Sequence, residues 1–391
     1  MSIATKAERN SLLVMALAGF SSMVAMRMCD PMLVVLGQEF QVTTGEASRV
    51  VSAFAVAYGV MQLFYGPLGD RFGKLRVISL AALACAVFSA ITSMAPSLTV
   101  LVVMRAFMGA TAAGIIPLTL AWIGDQVAYD RRQETLARLM GATVSGMMVG
   151  LWFGGFAAEN LGWRTAFVVV SVCFATASVF LLRKVRSMPA PAPSTTGFMG
   201  AFANTFELGR NRRVQQVLSA TLVEGALIFG AMAFIPTHLH QQFDMSVVFA
   251  GTVMMLYGVG GLIYSQLARR WMGWLGGERG LVRTGASLIV LGLLTLAWAQ
   301  QQVLGMLGCF FTGFGFYMMH NTLQTQATQM APHARGTAVT LFACMLFFGQ
   351  SAGVLAMSFG VDRGWLPYAF SLCALGVAFL GAFVYRLVGK H

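Results

Sequence analysis

Charge is what this chain has least of. Only 10% of its 391 residues are Asp, Glu, Lys or Arg, and just 14 of those are acidic. A soluble domain of this length needs roughly a quarter of its residues charged to cover its surface, so a water-soluble fold is excluded. Cysteine is sparse as well. Cys29, Cys85, Cys173, Cys309, Cys344 and Cys373 stand singly in apolar runs with no paired spacing, which supports neither a disulfide framework nor a metal site. There is no metal-ligand cluster and no nucleophile with a base beside it, so the sequence points to no enzyme, cofactor or metal.

What fills the chain instead is hydrophobic: 57% of residues, with a mean hydropathy of +0.73. Twelve apolar segments of about 20 residues or more, the length a helix needs to cross a bilayer, run over 11–37, 47–69, 75–94, 98–124, 137–159, 163–183, 214–238, 247–269, 282–301, 303–328, 336–361 and 366–387. They are too long for barrel strands and lack strict alternation, so the expectation is an all-α integral membrane protein of twelve transmembrane helices.

Lys and Arg are retained on the cytoplasmic side of short loops. With both termini placed inside, the outside loops hold only Arg49, Arg164 and Arg363 of the 26 basic residues, while Arg27 and Arg105 lie within helices and the rest fall inside. The net charge of +12 is then topology spread along the membrane face, not a nucleic-acid surface. Lys6 and Arg9 before "LLVMALAGF" look like a secretory leader, but the apolar run continues without a cleavage site, so an uncleaved first helix in the inner (plasma) membrane is expected.

The chain divides once. "RKVRSMPAPAPSTTG" is linker chemistry, which separates a first six-helix bundle (1–183) from a second (214–391) through a cytoplasmic linker (184–213). The halves echo one another: Tyr58, Gly59, Val60, Leu63, Tyr65, Leu68 and Arg71 align without gaps with Tyr257, Gly258, Val259, Leu262, Tyr264, Leu267 and Arg270. An internal duplication of membrane helices is a transporter signature.

Between the second and third segments lies "GPLGDRFGKLRV". Its glycine spacing is one residue short of a phosphate-binding loop, but Gly66, Leu68, Asp70, Arg71, Gly73 and Lys74 reproduce the loop signature of the major facilitator superfamily, which the chain resembles over its whole length. Three further stretches resemble its twelve-helix drug:proton antiporter branch. Arg105 in "RAFMGATAAG" matches the helix 4 arginine; Gly146, Gly150, Gly154 and Gly155 match the antiporter motif of helix 5, with Leu151 in place of its proline; and "GWRTAF" follows. The resemblance implies two pseudo-symmetric bundles working by alternating access. It also implies a cytoplasmic gate in which Asp70 meets the start of helix 11 near Gly336 and pairs with Lys74 and Asp125 when that side is shut.

An ionisable residue at lipid depth is a functional candidate by default. Two carboxylates qualify as proton-coupling groups: Asp30, three residues after Arg27 and followed by Pro31, and Glu224. Arg27 and Arg105, with His320 and Asn321 added because helix 10 lines the cavity in this superfamily, make up the expected substrate cavity. Each also fits a structural role: Asp30 as partner to Arg27, Glu224 as a bond to a neighbouring helix, His320 as a packing residue. The leading expectation is a monomeric, proton-coupled exporter of small amphipathic compounds. An importer or facilitator of a metabolite such as an organic anion or sugar, and a non-transporting receptor, remain open alternatives.

Overall fold

The computed structural model describes residues 6–186 and 208–388. Every apolar segment is helical. The elements are α1 (Lys6–Arg27, resuming as Leu33–Phe40), α2 (Thr44–Ala47 and Arg49–Phe72), α3 (Lys74–Thr92), α4 (Leu98–Ala112 and Ile115–Gln126), α5 (Tyr129–Phe156, ending in a π turn, Ala157–Leu161) and α6 (Trp163–Arg186). They continue with α7 (Arg212–Glu224, a π turn Gly225–Phe229, then Gly230–Phe243), α8 (Val247–Trp274), α9 (Glu278–Trp298), α10 (Gln302–Gln329), α11 (Arg335–Asp362) and α12 (Leu366–Val388). Most of the expected linker lies outside the described residues.

Local chemistry sets the boundaries. Thr43 and Glu46 form a reciprocal capping box at the start of α2, while Ser246 caps α8 by accepting from Phe249 N–H at 3.1 Å. One residue, Gly73, separates α2 from α3, and its φ of 88° is a conformation that only glycine adopts cheaply. The largest departure from the expected bounds is α5, which starts at Tyr129 rather than 137. Its first turns are polar and project beyond the apolar layer, where Glu134 and Arg138 pair one turn apart.

Eleven helices among the described residues are long and apolar enough to span a membrane. The first segment, expected as one helix over 11–37, falls short because it is broken between Arg27 and Leu33. Pro31 has no N–H to donate and crowds the residue before it, and the chain turns through Asp30 N–H to Arg27 C=O (3.2 Å) and Met32 N–H to Cys29 C=O (3.1 Å) instead.

Helix packing repeats across the two halves. In the first, α1 packs on α5, α2 on α4, α3 on α4 and α3 on α6; six helices further on, α7 packs on α11, α8 on α10, α9 on α10 and α9 on α12. The halves meet through two equivalent pairs, α2 against α11 and α8 against α5. The sequence echo lies on these same helices. Tyr58 packs its ring 4.5 Å from Phe347 of α11, and a Cβ at Gly59 would press on Phe347 and on the Cys344 carbonyl. Gly258 meets Met148 of α5 in the corresponding way. Leu80, Val172, Leu372 and Phe379 on α3, α6 and α12 are exposed, as side chains facing lipid must be.

Candidate functional site

Three helices are irregular midway along their length: α1 at 28–32, α4 at Ala113–Gly114 and α7 at its π turn. Three buried ionisable groups, Arg27, Asp30 and Glu224, adjoin the irregularities of α1 and α7. Arg27 closes the first stretch of α1 and Asp30 sits in the break. Their side chains pair, Nη1 to Oδ2, at 3.4 Å, and both are buried.

Arg105 of α4 is fully buried near this pair but bonds elsewhere. Its Nη1 donates to the Ala25 carbonyl at 2.7 Å and its Nε to the Val50 carbonyl at 3.2 Å, and the guanidinium lies 4.2 Å from the centroid of the Phe54 ring. Arg105 thus ties α1, α2 and α4 together, with one nitrogen, Nη2, left without a partner.

In the second half Glu224, the residue before the π turn, is fully buried and bonds His320 Nδ1 of α10 at 2.9 Å. The imidazole stacks on Phe316 with ring centroids 4.8 Å apart. Among the described residues, Asn321 does not bond this pair. Arg27 connects the two clusters, with its guanidinium 4.5 Å from the ring of Phe229 in the α7 π turn.

Several buried polar atoms here have no partner: Asp30 Oδ1, Glu224 Oε1, Arg27 Nε, the Tyr257 hydroxyl and Gln350 Oε1. Such atoms are costly unless water or a ligand satisfies them. Tyr257 of α8 is buried, with its ring centroid 5.7 Å from that of Phe316. Tyr257, Phe229 and Gln350 were not among the expected site residues. Tyr257 was visible in the internal repeat, but the other two carry no signal, since Phe and Gln in an apolar helix are ordinary residues.

The antiporter-motif glycines have a specific packing role. A Cβ at Gly146, Gly150 or Gly154 would overlap the backbone of Phe20, Val24 or Met28 respectively, so α5 lies directly on α1 up to the break that holds Asp30. Gly155 faces the other half, against the backbone of Val247 and Val248. Leu151, where the motif has proline, is buried in an unbroken stretch of helix.

At the end of the molecule carrying the α2–α3 turn, Lys74 bonds Asp125 and lies 3.5 Å from Asp70. Arg71 stacks over its own neighbour Phe72. Gly66 and Gly336 have open space where a Cβ would stand. Among the described residues, none of Asp70, Arg71 or Lys74 bonds the second half. Among the described residues no group of three or more His, Cys, Asp or Glu is placed to hold a metal ion.

The Uncharacterized MFS-type transporter YceJ of Bacillus subtilis (strain 168) is 26% identical over 84% of this chain and 84% of its own length. The Inner membrane transport protein YnfM of Escherichia coli (strain K12) is 24% identical over 89% of this chain and 83% of its own. The fold is shared with the nucleoside transporter NupG, at a TM-score of 0.78 and 14% identity over 98% of this chain and 100% of that one. The human organic anion transporter MFSD10 (TETRAN) superimposes with a TM-score of 0.71 and 18% identity over 96% and 99%. The Major Facilitator Superfamily model matches residues 15–354. With twelve helices in two equivalent sixes and a polar centre where they meet, this chain belongs to the major facilitator superfamily and is a multi-pass membrane transporter.

Proposed function

We propose that this chain is a proton-coupled exporter of small amphipathic compounds, in which Asp30 and Glu224 take up and release the proton. One observation carries the reading: each half holds a fully buried carboxylate with one oxygen bonded and the other unpartnered. Among the described residues, Arg27 over the Phe229 ring joins the two clusters. A buried charge depends on its partner, so a motion that separates Arg27 from Asp30, or His320 from Glu224, changes the affinity of that carboxylate for a proton. The rings of Phe229, Phe316 and Tyr257 offer apolar faces to a substrate; Phe229 and Phe316 lie 5.2 Å apart between centroids.

The two bundles, 1–183 and 214–391, act as the rocking bodies around this centre, and the end carrying Asp70 faces the cytoplasm, as the distribution of Lys and Arg indicates. The inner membrane is the expected location, and similarity to an E. coli inner membrane transport protein supports it. One proton moving through about 100 mV releases about 2.3 kcal/mol, enough for roughly a fiftyfold gradient of a neutral substrate. Asp30, Arg27, Glu224 and His320 form the coupling and binding centre in this reading, and Arg105 braces it.

The test is proton release from energised everted vesicles on addition of ethidium, as one member of a panel of fluorescent amphiphiles. Release is expected from the parental chain and absent from Asp30→Asn and Glu224→Gln; normal release in both variants overturns the coupling assignment. An alternative, facilitated movement of an organic anion, draws on Arg27 Nε and Arg105 Nη2, which have no hydrogen-bond partner among the described residues, and on the fold shared with the human organic anion transporter MFSD10. It predicts proton-independent counterflow of the anion. The commitment of Arg27 to Asp30 and of Arg105 to two carbonyls weighs against it.

A further inference from the structure

The end opposite Asp70 is closed, and two carboxylates close it. Asp362, the last residue of α11, accepts from the Thr43 hydroxyl at 2.9 Å and from the Gly45 N–H at 2.8 Å, so it holds the start of α2. Glu159, in the π turn that ends α5, accepts from the Val248 N–H at 2.8 Å, so it holds the start of α8. The helix pairs involved, α11 with α2 and α5 with α8, are the two that join the halves, and each is the other's counterpart six helices away. A two-fold pair of side chain to backbone contacts therefore spans the interface at this end, while the Asp70 end has no such crossing among the described residues.

We infer that Asp362 and Glu159 are paired gate residues. They hold this end shut in the state seen here and must release the starts of α2 and α8 for the opposite state to form. Three features fit a contact made and broken in each cycle. Both carboxylates are exposed, so water replaces the lost bonds at little cost. The backbone approach is close only through glycine: a Cβ at Gly45 would overlap the Asp362 carboxylate, and one at Gly155 would press on the Val247 carbonyl beside the Glu159 contact. Beneath the Asp362 contact, Ser52 of α2 is buried and donates to the Ser351 carbonyl of α11 at 3.4 Å, so the seal continues inward. The second half carries Arg269 where the first carries Asp70, so the latch at the Asp70 end has one member, whereas this gate has two.

The test uses Ser52→Cys as reporter and needs no substrate, so it stands apart from the coupling assignment. A membrane-impermeant maleimide is applied from the side on which Asp362 lies, and the native cysteines are measured as background on the parental chain. The combined Asp362→Ala and Glu159→Ala variant is expected to raise the labelling rate at Ser52→Cys about fivefold or more. Gly45→Ala, which keeps both carboxylates but displaces one, is expected to raise it in the same direction. An unchanged rate in both overturns the assignment, and if the combined variant does not fold, Gly45→Ala alone decides. A merely structural role lowers the melting temperature without opening Ser52→Cys to the reagent from that side.

Discussion

Arg105 shows how residue type and residue role come apart. An arginine in an apolar run is conspicuous in the sequence, but its partners are not: two backbone carbonyls on different helices, reached by a planar fork that lysine lacks. Arg105→Lys is therefore expected to cost about 1–3 kcal/mol of stability, seen as a lower melting temperature of the purified protein, while ligand binding changes little. Glu224 and His320 give the complementary case. Replacing His320 by Phe keeps the stacking on Phe316 but leaves a fully buried carboxylate unbonded, which costs about 1–3 kcal/mol. Removing both partners, Glu224→Leu with His320→Phe, is expected to recover most of that loss in the same melting experiment; a double variant no more stable than His320→Phe contradicts it. The ionisable residues of the centre were legible because a charge in an apolar helix has no other easy explanation. Phe229 was illegible because its significance lies in Arg27 of the other half, and Gln350 because a glutamine in an apolar helix carries no signal of its own.

The element scale is governed by close approach of backbones. On α5, Gly146, Gly150 and Gly154 recur every fourth residue and meet Phe20, Val24 and Met28, which recur every fourth residue on α1. Gly141 on the same helix faces open space. Gly154→Ala is thus expected to cost about 1–3 kcal/mol and to lower transport, whereas Gly141→Ala changes neither; melting temperature and ethidium efflux read both. Equal effects at the two positions contradict the packing argument. Apolar length made the helical segments legible among the described residues, and polar breaks made most of their ends legible to a few residues, although α5 starts at Tyr129 rather than 137 and the first segment is broken. The irregularities were harder to read. Pro31 signalled a bend in α1, and Pro117, with no N–H to give the Ala113 carbonyl, marks the break at Ala113–Gly114, but the π turn after Glu224 contains no proline. Gly114 packs so tightly on the Tyr65 ring that a Cβ would overlap it, and Gly225 sits against the Leu346 carbonyl. Those constraints come from helices distant in sequence, so local propensity does not report them.

At the scale of the whole molecule, the two ends oppose one another. The contacts of Asp362 and Glu159 exist in the state seen here, so they stabilise it; among the described residues, Asp70 pairs in this state with Lys74 of its own half. If Asp70 engages the start of α11 only when its end closes, removing its charge disfavours the alternative state and costs this one only an exposed pairing with Lys74, which is worth little. Asp70→Asn is then expected to cut transport while a thermal-shift titration with ethidium stays close to parental, because the binding centre is unaltered. Normal transport in that variant contradicts the latch. The two gates lie at opposite ends of α2 and share no partner, so their effects on the equilibrium should add. With each worth about 1 kcal/mol, Asp70→Asn is expected to lower maleimide labelling at Ser52→Cys about fivefold and Asp362→Ala to raise it about fivefold. The combination should return it near the parental rate, although neither lost contact has been restored. Local damage to the fold raises exposure in both single variants and more in the combination, so a combined rate above both singles identifies damage, and a rate between them identifies a balance of two opposed gates.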